Sequence, residues 1–199
     1  MTDAADFVLS SAPSLRGHFL LESGYHTDQW LTLDALFINP ARMAPMIAAL
    51  AERLRPYGAS GICGPLLGGA FLAHALATSL GVAFYHAVPI AATTQPGLFK
   101  VEYALSRTLR RLVRGQRVAV VDEVISAGSA VRATIAALAA ADAPTIAVGT
   151  FLLLGDAATH YFVQQRVPLE ALGRRHLAMW KPEDCPLCRA GDLLDAQPH

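Results

Sequence analysis

The sequence predicts an α/β fold built on a central, mostly parallel sheet with helices on its faces. Two observations carry this. Apolar runs at Gly61-Ile62-Cys63, at Val118 to Val121 and from Pro144 to Leu154 lack the alternation of a half-exposed strand, so they read as strands buried on both faces. Each leads through small residues into a helical stretch, at about residues 71–80, 130–141 and 156–165, and strand–helix repetition of this kind makes parallel sheets.

Composition narrows the function classes. A chain of 199 residues makes one ordinary domain, or one domain with a small appendage, and a hydrophobic fraction of 53% is enough for a sizeable core. The formal net charge is zero, so there is no basic footprint for nucleic acid. No apolar run reaches membrane-spanning length. Met1 to Ser14 carries two Asp and no cationic start, so no secretory signal is expected and a cytoplasmic enzyme is the default. Three Cys, an odd number, fit a reducing compartment better than a disulfide scaffold. Arg outnumbers Lys 14 to two, the lysines being Lys100 and Lys181.

In chain order, residues 1–14 read as a short helix or loose arm. Gly17 to Asp34 reads as two short strands joined by a turn at Ser23-Gly24, the second placed over Gln29 to Asp34 by its alternation. Asn39-Pro40 opens a helix to about Arg55, with Pro45 in its first turn or kinking it, and Pro56-Tyr57-Gly58 stops it. The strand at Gly61 enters Gly64-Pro65-Leu66-Leu67-Gly68-Gly69, whose glycines allow a ligand to approach the backbone or, equally, a tight βα turn. Cys63 reads as packed core, and His74 as a core or capping residue. Val82 to Tyr85 is a further strand, ending at His86. Residues 87–116 are long and mixed, with a pair of strands around Pro96-Gly97 and the character of a lid. Arg107, Arg110, Arg111 and Arg114 in this interval read either as anion-binding charge or as a solvated face. Beyond the strand at 144–154, Asp156 is expected to cap a helix reaching about Gln165. The tail holds Cys185-Pro186-Leu187-Cys188, either a compact structural turn or half a zinc knuckle completed by His176, His199 or a second subunit.

The most informative stretch is Arg117 to Arg132. A Val-rich strand ends in adjacent carboxylates, Asp122 and Glu123. The small loop Ser126-Ala127-Gly128-Ser129 follows, and an Ala-rich helix begins at Ala130. Loop amides and hydroxyls, with the positive end of the helix dipole, suit a phosphate. The carboxylates just upstream suit the vicinal hydroxyls of a ribose.

This stretch resembles the phosphoribosyl-pyrophosphate (PRPP) signature of the type I phosphoribosyltransferases, with Glu123 where Asp is commoner. The segment Gly17-His18-Phe19-Leu20-Leu21-Glu22-Ser23-Gly24 resembles the N-terminal hood of orotate phosphoribosyltransferases, although a plain edge hairpin has the same spacing. The ending Trp180-Lys181-Pro182-Glu183-Asp184-Cys185-Pro186-Leu187-Cys188 resembles that of a subset of the same enzymes. The resemblance covers most of residues 16–191. It implies a single type I phosphoribosyltransferase domain over 1–199, with a hood at about 15–38 and a tail at about 176–199. It further implies a homodimer and Mg²⁺ held through PRPP rather than by protein side chains. PRPP would lie on Asp122, Glu123, Val124, Ile125, Ser126, Ala127, Gly128, Ser129 and Ala130. Diphosphate would lie on Pro65, Leu66, Leu67, Gly68 and Gly69, and the base against Ser126, Trp30 and Leu31. Asp122, Glu123 and Lys100 are the expected catalytic residues, and Cys185 with Cys188 a possible structural zinc pair.

Three departures bear on specificity. Some members carry Lys where Glu22 stands, and the mobile loop of the family is richer in Lys than residues 87–116. Many also carry an Arg for the orotate carboxylate at the end of the strand that here reads Leu153-Leu154-Gly155-Asp156. The implied reaction is transfer of a phosphoribosyl group from PRPP to orotate. The alternatives are a transferase for another nucleobase, and a PRPP-binding regulatory protein with little catalysis.

Overall fold

A computed structural model describes residues 4–90 and 97–196. Two sheets organise them. In the larger, six strands run in the order β5 (Tyr103–Ala104), β4 (Ala83–Pro89), β3 (Gly61–Pro65), β6 (Val118–Ile125), β7 (Thr145–Leu154) and β8 (Leu169–Arg175). All neighbours are parallel except the short β4–β5 pair. Right beside it, β1 (Ser14–Leu20), β2 (His26–Leu31) and β9 (Met179–Trp180) form an antiparallel three-stranded sheet, the hood.

The central strands are apolar on both sides because helices cover both. On one face, Ala119 and Val121 of β6 and Phe151 of β7 pack with α1 (Ala4–Ser11), α2 (Pro40–Leu54) and α3 (Gly68–Leu80), through Val8, Met43, Leu50, Leu54, Leu72 and Leu76. On the other face, Val118, Val120 and Val148 pack with α4 (Arg107–Val113), α5 (Ser129–Ala139) and α6 (Ala157–Gln164), through Val113, Val131, Leu138 and Phe162. Burying each such side chain contributes about 1.5–3 kcal/mol. A last short helix, α7 (Pro186–Ala190), follows the hood strand β9.

Local signals set several boundaries. The Asn39 side chain accepts from the Arg42 amide at 3.4 Å, Pro40 opens α2, and Gly58 beyond it takes a left-handed φ of 61°. Pro45 lies inside the helix. Cys63 is fully buried as expected, and burial pushes its thiol up to about 12.

Elsewhere pairing overrides the local pattern. The second hood strand is His26–Leu31 rather than Gln29 to Asp34, because its start is fixed opposite Leu20 of β1 and Trp180 of β9; Leu33–Phe37 is a 3₁₀ turn. β4 runs past His86 to Pro89, where β5 pairs with it. The acidic pair stands inside β6, which continues to Ile125 because β7 pairs with it that far. His74 is on the exposed face of α3, edge-on to the Phe84 ring at 5.3 Å, and is neither core nor cap. Asp156 occupies the N-cap position of α6 without a side-chain capping bond. β8 and β9 arise in residues 166–180, where the sequence pattern marks no element.

Candidate active site

At the C-terminal end of the parallel strands, a cavity of about 210 Å³ lies between the hood and the β6–α5 loop. One wall is made by Asp122, Val124, Ile125, Ser126, Gly128, Ser129 and Ala130. The facing wall is made by Leu21, Glu22, Ser23, Gln29, Trp30, Leu31 and Leu33, with Leu154 and Leu177 closing the side. Parallel strands deliver ligands to this edge because the loops that follow them gather there.

The loop wall is shaped for an anion. Gly128, at φ 79°, takes the left-handed conformation that turns the chain from β6 into α5, and no side chain caps the helix. The first-turn amides of an uncapped helix carry partial positive charge and need acceptors. Ser129 is nearly buried there, and its hydroxyl donates to Glu22 Oε2 at 3.0 Å. The other Glu22 oxygen accepts from the Tyr103 hydroxyl, also at 3.0 Å, so one hood carboxylate links the loop to β5.

Beside the loop stands a concentration of negative charge. Asp122 is partly exposed at the cavity wall, and Glu123 is 7% exposed. Burial raises Asp122 well above the usual carboxylate range, and the neighbouring Glu123 charge and then Glu22 add to it. Burial also raises Glu123, with Asp34 contributing, although a hydrogen bond from Asp122 works the other way. The two carboxyls thus titrate as a pair, shifted upward by burial and by each other's charge. The same field, after burial, drives the Tyr103 hydroxyl upward. Glu123 Oε2 is buried without a hydrogen-bond partner. An orphaned anionic oxygen next to a raised carboxylate suits ligands that bring hydroxyl donors or a hard divalent cation.

The glycine-rich segment backs onto these carboxylates. A Cβ at Gly69 would stand 2.7 Å from Asp122 Oδ1, and one at Gly68 would collide with the Glu123 carboxylate. Gly68 begins α3, while Leu66 and Leu67, joined by a cis peptide, are exposed. Gly68 and Gly69 therefore adjoin the acidic pair, and none of Pro65, Leu66, Leu67, Gly68 and Gly69 lines the cavity. Of the other expected residues, Trp30, Leu31 and Ser126 share the cavity with Asp122, whereas Glu123 and the buried Ala127 stand just behind its wall.

Lys100 is exposed on the segment that follows residues 91–96. Residues 91–96, and with them most of the expected Pro96-Gly97 turn, lie outside the described residues. From Gly97 onward the segment folds against the hood turn: the Phe99 amide donates to the Ser23 carbonyl at 2.9 Å. Arg132 holds it from the other side, its guanidinium 4.0 Å from the Phe99 ring and 3.8 Å from that of Tyr161. Arg107, Arg110, Arg111 and Arg114 do not gather at the cavity. All four are exposed on or next to α4; Arg110 Nε donates to the Leu105 carbonyl, and Arg114 pairs with Asp142 where β7 begins, at the far edge of the sheet.

Leu21, Glu22, Ser23, Gln29, Leu33, Leu154 and Leu177 line the cavity without having been expected there, and Tyr103 joins them through Glu22. Only Glu22 carries a signal, as the residue standing where a Lys is common. Cys185 and Cys188 lie apart from the cavity, next to His18 and His26. His176 instead lines a second cleft with Tyr25 and Gly155, and His199 is outside the described residues.

Comparison with known proteins gives the family and the fold. The family model described as "Phosphoribosyl transferase domain" matches residues 32–166. A protein of Thermotoga petrophila named orotate phosphoribosyltransferase is 30% identical over 89% of this chain and 87% of its own length. One of the same name from Caldanaerobacter subterraneus is 28% identical over 88% and 85%. The solved orotate phosphoribosyltransferase of Aeropyrum pernix shares the fold, with a TM-score of 0.63 at 19% identity over 86% of this chain and 93% of that one. So does the adenine phosphoribosyltransferase of Thermoanaerobacter pseudethanolicus, with a TM-score of 0.67 at 14% identity over 86% and 99%.

Proposed function

Because the chain belongs to the phosphoribosyl transferase domain family and is a pentosyltransferase, we propose that it moves the phosphoribosyl group of PRPP onto a ring nitrogen of a nucleobase, releasing diphosphate. One observation carries this reading. A single cavity sets an uncapped helix start, the Ser126 and Ser129 residues and Asp122 on one wall against Trp30 and Leu31 on the other. A ribose phosphate matches the first wall, and a planar ring matches the second.

In this reading the α5 amides and the Ser126–Ser129 loop hold the 5-phosphate. Asp122 and Glu123 accept from the ribose hydroxyls, and as anions they favour the positive charge that grows at the anomeric carbon when the diphosphate departs. The base nitrogen, giving up its proton to solvent, bonds to that carbon from the opposite face as the carbon–oxygen bond to diphosphate breaks, so no protein nucleophile is needed. The backbone at Pro65 to Gly69 and the Lys100 ammonium meet the departing diphosphate. Mg²⁺ carried by PRPP, adjoining Asp122 and Glu123, would supply charge neutralisation for that leaving group.

Orotate is the first candidate base, since the 28–30% identical relatives carry that name. A second reading has its own support: no Lys or Arg is among the described residues lining the cavity, so a base without a carboxylate fits it as well. We further propose a single-domain chain that works as a homodimer in the cytoplasm. No helix of the described residues is long and apolar enough to cross a membrane.

The test is to incubate the protein with PRPP, Mg²⁺ and each nucleobase in turn, following base consumption and diphosphate release. Consumption of orotate establishes the first reading, and turnover of another base with orotate inert establishes the second. PRPP binding with no diphosphate released on any base would sink both and favour a PRPP-binding regulatory protein.

A further inference from the structure

The hood carries chemistry that phosphoribosyl transfer does not use. His18 of β1, His26 of β2 and the tail residues Cys185 and Cys188 bring four ligand atoms within 4.8 Å of one another. His18 Nε2 stands 2.8 Å from His26 Nδ1, 3.4 Å from Cys185 Sγ and 3.7 Å from Cys188 Sγ; Cys188 Sγ stands 3.3 Å from His26 Nδ1. Metal–ligand lengths of about 2.0–2.1 Å for nitrogen and about 2.3 Å for sulfur give a tetrahedron with edges of about 3.3–3.8 Å. Three of the four nitrogen–sulfur edges, at 3.3–3.7 Å, already have that length, and the nitrogen–nitrogen edge is shorter at 2.8 Å.

The surroundings orient the ligands. His18 Nδ1 lies 3.0 Å from the Asp192 carbonyl oxygen, which can only accept. Nδ1 therefore carries the proton and the Nε2 lone pair faces the cluster, the arrangement in which a metal-binding histidine is usually held. His18, His26 and Cys185 are buried, while Cys188 opens to the surface and gives a path of entry. Two thiolates and two neutral imidazoles would balance a divalent ion inside this buried pocket.

We propose that His18, His26, Cys185 and Cys188 form a structural Zn²⁺ site that staples the C-terminal tail to the hood. The donor set is soft and borderline, S₂N₂ and tetrahedral, which selects zinc over Mg²⁺. All four positions are filled by protein, so the ion serves structure rather than catalysis. Binding releases the two thiol protons to solvent. The staple fixes the sheet that supplies Trp30 and Leu31 to the cavity, and it works alongside the β2–β9 pairing and the bond from the His18 amide to Asp195 at 2.8 Å.

Elemental analysis of the full chain, purified under reducing conditions without chelator, should give one zinc per chain. Replacing it by Co²⁺ should give the intense visible bands of a tetrahedral site with thiolate-to-metal charge transfer. Cys188→Ser and His26→Ala should each lose the metal and the spectrum, while Cys63→Ala keeps both. The cobalt titration needs no variant, so a misfolded mutant does not blur the result. Reduced wild-type protein that holds no zinc and gives no tetrahedral cobalt spectrum overturns the proposal. So does zinc retained by both Cys188→Ser and His26→Ala, or a Cys185–Cys188 disulfide in the reduced preparation.

Discussion

Glu22 and Ser129 are joined by a hydrogen bond of 3.0 Å from the serine hydroxyl to the glutamate, across the space between the hood and the start of α5. A carboxylate of the protein thus occupies a hydroxyl that the proposed function gives to the 5-phosphate. Bringing PRPP there sets like charges together and takes the hydroxyl from its partner. Glu22→Gln should lower the KM for PRPP by about tenfold, equivalent to ~1.4 kcal/mol. Steady-state kinetics against PRPP at saturating base checks this, and an unchanged or raised KM refutes it.

The acidic pair sets stability against function. Burial raises Asp122 first, with Glu123 next to it adding to the effect. A carboxyl raised in the folded state costs stability once it must ionise. That cost is absent below the ordinary carboxylate range, about pH 4, and grows as pH climbs through it towards the folded-state value. Asp122→Asn should therefore melt higher than wild type at neutral pH, by about 2–4 °C for each kcal/mol relieved in a chain of this size. The gap should close on acidification, while turnover falls on the order of 10²-fold. Melting curves from pH 4 to pH 8 give the sign, and a gap that widens towards acid contradicts the account.

Lys100 and the α4 arginines should separate cleanly. Lys100 follows the Phe99 segment pinned to the hood, whereas Arg114 is tied to Asp142 at the other edge of the sheet by an exposed ion pair. Lys100→Ala should cut kcat on the order of 10²-fold, as loss of one transition-state contact does. Arg111→Ala and Arg114→Ala should change it by about twofold or less. Equal losses in all three would refute this separation.

Gly64 meets Gly69 backbone to backbone. A Cβ at Gly64 would overlap the Gly69 carbonyl, and backbone yields less readily than a flexible side chain. Gly64→Ala should destabilise by about 1–3 kcal/mol and remove activity together with it, read by denaturant unfolding beside the assay. Full stability with full activity would mean that the turn is looser than its geometry.

Much of the parallel sheet was legible because its strands are apolar on both faces and alternate with helices, a pattern that needs no long-range information. Asp122, Ser126 and Gly128 were legible for the same reason, since a strand, a tight loop and a helix start are neighbours in sequence. What escaped was whatever depends on distant pairing. Strand β2 begins at His26 rather than at Gln29 because β1 and β9 fix its register. Glu22 reaches Ser129 across 107 residues, and His18 reaches Cys185 across 167. No local periodicity records such meetings, so the histidines that join the cysteine pair could not be named from spacing.

The register between His26 and Trp180 has a consequence for the order of assembly. The hood begins near the start of the chain, yet its third strand is synthesised only after the whole six-stranded sheet has been made. A ribosome that has just completed β8 has produced the β6–α5 loop, the acidic pair and the glycine segment, but not the strand that completes the hood. A nascent chain at that stage contains the β6–α5 wall of the cavity before the hood facing it is finished. Completion of the enclosure is therefore timed by translation of its last segment, and chains broken off after Arg175 would keep the larger sheet while losing the finished hood.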